Sequence, residues 1–173
     1  FAKAIRAECT TIEGSPNVNR YSAPLTQRIE LKTALQLGYG ASGAKSLTVG
    51  FWARSSETGT HGIALAHNNG GTHNPQTYSI SSADTWEKKS VTFSGDTSAA
   101  PSVEFGMQLS WLSQIGTTAD NGSQDTWGNY QGYTAIADIA GATSRYIEIT
   151  GVQMSVGTSA TDFHHRSYGE ELM

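Results

Sequence analysis

Residues 102–112 alternate without a break: Val103, Phe105, Met107, Leu109 and Trp111 fall on one parity, and Glu104, Gly106, Gln108 and Ser110 on the other. Successive side chains of a strand point to opposite faces, so this period specifies a half-buried strand and is incompatible with a helix. Residues 45–54 repeat it, with Leu47, Val49, Phe51 and Ala53 predicted inward and Thr48 and Trp52 outward. Shorter stretches of the same kind lie at 27–32 (Ile29, Leu31), 61–67 (Ile63, Leu65), 78–80 (Tyr78, Ile80) and 87–93 (Val91, Phe93). A further strand is expected within residues 1–8.

Residues 146–156 break the period once. Ile147 and Ile149 share one parity, whereas Val152, Met154 and Val156 have the other. One extra residue at Thr150–Gly151 would return both sets to the same face. A β-bulge does this, and glycine tolerates the backbone it needs. Turn signals separate the strands: Gly14–Ser15–Pro16–Asn17, a glycine-rich stretch at 38–43, Asn68–Asn69–Gly70–Gly71, Gly95–Asp96 and Asn121–Gly122. Helical period is missing until residues 167–173, where Ser167 as N-cap and Glu170–Glu171 in the first turn fit a short helix. Many strands, regular turns and little or no helix specify an all-β chain, an antiparallel two-sheet sandwich of jelly-roll type. We read residues 1–173 as a single domain, a fragment or processed part of a longer chain.

The remaining composition narrows function. A net charge of −4 and no run of Lys or Arg argue against nucleic acid. No apolar stretch reaches the roughly 20 residues of a membrane helix, so membrane insertion is not expected. Cys9 is the only cysteine, which excludes an intrachain disulfide and a thiolate-rich metal site and suggests a small buried hydrophobe. The sequence calls for no cofactor.

Catalytic chemistry finds little support. Paired carboxylates would suit glycoside hydrolysis, but Glu104 and Glu148 sit singly on their strands and read as solvent-facing acids. No G-x-S-x-G elbow is present. His61, His67, His73, His164 and His165 lack metal-ligand spacing and default to surface or interface positions. The Asp120–Asn121–Gly122–Ser123–Gln124–Asp125 loop fails the D-x-[DN]-x-[DN]-G calcium pattern and reads as a polar turn. No metal site is therefore assigned.

Binding is better served. Trp127, Asn129, Tyr130 and Tyr133 read first as packing against the core or a neighbouring subunit, where Tyr and Trp are enriched; the alternative is a sugar site, with rings to stack on sugar faces and an amide to bond hydroxyls. Trp52 opposes the inward parity of its strand, and Trp86 is out of phase with Val91 and Phe93. Two tryptophans facing away from the core imply a second covered surface or an exposed binding patch, and favour an oligomer.

Several segments in order resemble a known family. These are Thr26–Gln27–Arg28–Ile29–Glu30, Ser46–Leu47–Thr48–Val49–Gly50–Phe51–Trp52–Ala53–Arg54, and Thr85–Trp86–Glu87 with Val91–Thr92–Phe93. Then follow Ile149–Thr150–Gly151–Val152–Gln153–Met154–Ser155–Val156–Gly157, Ala160–Thr161–Asp162–Phe163 and Arg166–Ser167–Tyr168–Gly169–Glu170–Glu171–Leu172. Together they are similar to the carbohydrate-binding-module-like jelly-roll domain of bacteriophage tail fibres and related virion structural proteins. Met154–Ser155 stands where that pattern has Leu–Glu, and Asp162 where it has Pro. The resemblance implies a non-enzymatic virion component, a fibre or decoration domain in an extracellular particle. Its implied partners are identical subunits in a trimer, other virion proteins and host surface polysaccharide. A carbohydrate-binding module of a secreted bacterial polysaccharide-degrading enzyme shares the architecture and is the alternative; a sandwich-fold glycoside hydrolase or lyase is the third.

Overall fold

The computed structural model describes residues 3–12, 21–67, 71–102, 106–115, 123–129 and 136–163. Its strands in chain order are β1 (Ile5–Glu8), β2 (Tyr21–Ser22), β3 (Leu25–Ile29), β4 (Leu47–Ser55), β5 (Gly59–His67), β6 (Thr72–Ile80), β7 (Glu87–Phe93), β8 (Met107–Leu112), β9 (Gln114–Ile115) and β10 (Tyr146–Val156). A five-residue helix, α1 (Leu31–Leu35), follows β3, and a single 3₁₀ turn covers Ile139–Gly141. Two four-stranded sheets run β1-β10-β4-β7 and β3-β8-β5-β6, with β2 and β9 as a separate pair. Every paired strand is antiparallel. The chain passes back and forth between the sheets so that strands distant in sequence become neighbours, which is the jelly-roll arrangement.

The inward parity of the long strands makes the core. Leu47, Val49, Phe51 and Ala53 of β4 face Ile63 and Leu65 of β5 and Met107, Leu109 and Trp111 of β8, all buried. Phe51 lies at the centre, edge-on to Tyr78 and Trp111 with ring centroids 5.1 and 5.6 Å away. Such T-shaped contacts match the positive ring edge to the negative face.

The predicted bulge is present. Thr150 pairs with Trp52 and Gln153 with Gly50, so three steps on β10 oppose two on β4, and Gly151 takes φ 59°. The extra residue returns Met154 to the core side opposite Val49.

Some expectations need correction. The strand predicted at 27–32 ends at Ile29; α1 then turns Ala34, with Leu37 just beyond it, onto the end of the core. The short strand at 78–80 is the end of nine-residue β6, whose Asn74 and Gln76 meet their burial by hydrogen bonding to Asp125 and the Thr92 carbonyl instead of by apolar contact. Pro75 fits because β6 is an edge strand: its carbonyl accepts from Asp125 N on the side away from β5, so no ladder donor is lost. Thr48 has the predicted outward parity but is fully buried, for a reason given below. Residues 103–105 of the alternating run and the helix expected at 167–173 lie outside the described residues.

Candidate functional site

The two outer faces of the sandwich differ. On the β3-β8-β5-β6 sheet, Ala64, Ala66 and Ser110 point outward yet are buried. Leu112 and Ile115, with Ala23 and Ile136, build a second small core over Ala64. The other sheet is covered over one half. There residues 157–163 cross it: Thr48 Oγ1 donates to the Gly157 carbonyl at 2.7 Å, Lys88 pairs with Asp162 at 2.9 Å, and Ser155 and Thr161 hydroxyls meet at 2.8 Å. This strap is what buries Thr48. It also explains Gly50, where a Cβ would stand 3.2 Å from that of Ala160.

The other half of this face is open and carries a cleft of about 600 Å³ lined by Lys3, Ala4, Trp52, Arg54, Trp86, Glu148 and Thr150. Strand register builds it in rows. Arg6, Glu148 and Arg54 are opposite one another on β1, β10 and β4; Thr150, Trp52 and Lys88 form the next row on β10, β4 and β7. Trp86 immediately precedes β7, two residues from Lys88, so it is the diagonal neighbour of Trp52. Diagonal positions lie about 7–8 Å apart, within reach of large rings.

Charge is organised around Glu148. Arg54 Nε donates to its Oε2 at 2.5 Å and Arg6 Nη1 to its Oε1 at 3.4 Å. Glu148 is therefore only 8 % exposed, which corrects its reading as a solvent-facing acid. Arg6 also pairs with Glu8 at 2.8 Å and covers the Tyr146 ring, its Cζ 3.8 Å from the centroid. Arg54 Cζ is 5.4 Å from the Trp86 centroid and 5.8 Å from that of Tyr146. Tyr146 donates its hydroxyl to Asp84, and that hydrogen bond raises the phenol above its ordinary range. Indole faces, guanidinium donors, a carboxylate and the Thr150 hydroxyl together suit a ligand with apolar faces and many hydroxyls. Among the described residues Glu148 is the one carboxylate lining the cleft, and Glu104 lies outside them.

Of the predicted site residues, the structure brings Trp52 and Trp86 together. Trp127 is elsewhere, half-buried against the core beside the end of β6. Its indole N–H donates to the Ser94 carbonyl at 2.8 Å, and its ring lies 5.5 Å from Tyr39 and 5.0 Å from His67. Asn129 is exposed next to Gly128, which bridges to His73. Tyr130 and Tyr133 fall outside the described residues. Arg54 and Thr150 were missed by sequence reasoning, although Arg54 shares the outward parity of Trp52 two residues away.

His61, His67 and His73 are buried, not surface residues. His61 and His67 share the inward parity of Ile63 and Leu65, a signal that was available. His61 Nε2 donates to the Glu57 carbonyl at 3.0 Å, and its ring stacks on Tyr78. His67 Nε2 donates to Asp96 at 2.8 Å. The other oxygen of Asp96 accepts from the Ser98 amide and hydroxyl, both at 2.7 Å. No group of three or more His, Cys, Asp or Glu among the described residues is placed to hold a metal ion. Asp125, from the oxygen-rich loop, accepts from Ser94 N at 2.7 Å and Asn74 Nδ2 at 3.0 Å, clamping the loop to β6. Cys9 is half-buried, its thiol 3.3 Å from the Thr11 carbonyl and 3.4 Å from that of Ala140.

No family model matches the chain, and no curated protein matches it. Among solved structures it is similar to one described as "CBM4 structure and function", with 16 % identity, 76 % of this chain and 59 % of that chain covered, and a TM-score of 0.43. Another, described as "EclA C-terminal domain; sugar-binding protein", has 10 % identity, 88 % and 77 % coverage, and a TM-score of 0.40. The chain spans less than two thirds of the length of the first.

Proposed function

We propose that this jelly roll is a non-enzymatic carbohydrate-binding module whose site is the Trp52–Trp86 cleft. The observation that carries the reading is the pair of indoles on the open half of a sheet face, with Arg54, Glu148 and Thr150 between and beside them. A sugar offers C–H faces to the rings and hydroxyls to the polar groups, and a rigid sheet holds both sets without ordering cost. Titration calorimetry against a polysaccharide panel tests it. Trp52→Ala and Trp86→Ala are each expected to weaken binding about tenfold or more, the loss typical of a buried aromatic anchor. Their thermal unfolding stays near wild type, because both rings lie outside the core between the sheets. Undiminished glycan binding by both variants would remove this site from consideration.

A second reading has its own support. The sequence resemblance points to a virion fibre or decoration domain built from identical subunits, and the open side of the sandwich carries exposed apolar side chains. Ile5 is 65 % and Val156 59 % exposed. Ile5 lines a cleft of about 620 Å³ with Leu25, Trp111, Ile149 and Val152 among others, and Val156 lies further along β10, beside Leu37, Leu47 and Met107. Among the described residues, β1 stops pairing at Ile149, so β10 beyond the bulge has β4 as its single strand neighbour. Unpaired edges of this kind favour association between copies. Native mass spectrometry is expected to give a trimer that Val156→Asp dissociates. A monomer at all concentrations sets the virion reading aside and leaves the module.

A further inference from the structure

We infer that the Trp52–Trp86 cleft selects acidic sugars, with Arg54 receiving the carboxylate of a uronic acid; this rests on the carbohydrate reading above. The chain is acidic overall, at −4. Its cleft is not: Lys3 and Arg54 line it against Glu148 alone. The oxygens of that carboxylate are already divided between Arg54 and Arg6. Among the residues that line it the cleft thus holds one more cation than anion, with Asp84 acting on Arg54 from outside the lining.

Arg54 is the group best prepared for an anion. It spends Nε on Glu148, while Nη1 and Nη2 take no hydrogen-bond partner among the described residues. Glu148 on one side and the Trp86 and Tyr146 rings within 6 Å fix where the guanidinium sits. A planar fork held in place binds a carboxylate through two parallel hydrogen bonds, the geometry in which Arg outperforms any neutral donor. Lys3 is exposed on the same rim, and its ammonium makes no ion pair among the described residues, so it adds a second, longer-range attraction. Hydroxyls of a neutral sugar could occupy the same donors. They bring no negative charge of their own, so each bond is weaker than those of the bidentate ion pair a carboxylate makes.

The test compares an oligogalacturonate with the same oligosaccharide after its carboxyls are reduced to primary alcohols, by calorimetry at low and high salt. The acidic chain is expected to bind about tenfold more tightly at low salt, with the advantage shrinking as salt screens the charges. Arg54→Gln abolishes the preference, read as the ratio of the two affinities and so independent of any loss common to both chains, and Arg54→Lys restores part of it. Should Arg54→Gln fail to fold, Lys3→Gln, at an exposed position, must still reduce the preference. Equal, salt-insensitive binding of the two chains overturns the inference and leaves the module reading standing. Failure of both chains, and of the wider panel, overturns the module reading itself. Tighter binding of a sulfated oligosaccharide of equal charge overturns the assignment to a carboxylate.

Discussion

Phe51→Ala is expected to destabilise the domain by about 3–5 kcal/mol, the range for removing a fully buried aromatic ring from a core that cannot collapse around the loss. Phe51 is 1 % exposed and sits where the sheets face each other, edge-on to Tyr78 from β6 and Trp111 from β8. Its removal strips contacts from both partners and leaves a void at the middle of the sandwich. Domains have roughly 5–15 kcal/mol in total, so the loss is a large share of stability. In a chain of this size it should lower the melting temperature by about 10 °C. Leu35→Ala is the control, since Leu35 is 54 % exposed on α1 and its truncation should change stability by less than about 0.5 kcal/mol. Urea denaturation with a shared m-value measures both. A loss below about 1 kcal/mol for Phe51→Ala would mean the core is not packed as described.

Phe51 and Trp52 show how fold and site come from one pattern. Alternation along β4 sends Phe51 inward and Trp52 outward, so the strand that holds the sandwich together also floors the cleft. This much is legible in sequence. The parity of 45–54 and 107–112, the slipped phase at Thr150–Gly151 and the outward tryptophans all follow from period-two reasoning. Where the structure departs, polar groups do work that apolar ones usually signal. Asn74, His61, His67 and Asp96 are buried through specific hydrogen bonds, and a hydropathy pattern has no mark for these. Thr48 is hidden by a strap that returns from beyond β10, over 100 residues later, which no local period encodes. The cleft has the same character. Trp52 and Trp86 are 34 positions apart, and only the pairing of β4 with β7 makes them neighbours. Arg54 gains its meaning from Glu148, which the jelly-roll crossover brings alongside. Trp127 has two readings in sequence, packing and a sugar platform, and the structure takes the first: its indole N–H is committed to Ser94 and its ring to Tyr39 and His67.

The buried polar end of the sandwich should make stability fall steeply in mild acid. Burial, with the nearby His67, pushes His73 down to about 4. An unfolded histidine titrates near 6.5. Between those values the unfolded chain binds a proton that the folded one refuses, so stability rises with pH across about 4 to 6.5 and is lost as pH falls through that window. One such group contributes up to about 1.4 kcal/mol per pH unit and about 3 kcal/mol over the whole interval. His61 acts in the same direction, since burial lowers it as well, against the opposing pull of its bond to Glu57. Asp96 extends the effect to lower pH. Burial works to raise its carboxyl, but the hydrogen bonds from Ser98, His67 and Ala99 prevail and hold it below the usual carboxylate range. The stability this contributes is present above about pH 4 and disappears as pH drops through the folded value. Urea midpoints at pH 7, 6, 5 and 4 for wild type and His73→Gln separate these sources. The variant starts less stable at pH 7 but loses less on acidification, and the two curves converge toward pH 4. A residual slope from His61 remains in the variant. Parallel curves would show that His73 accepts its proton as readily in the folded chain as in the unfolded one, and that the histidine end of the sandwich is wetter than its packing implies.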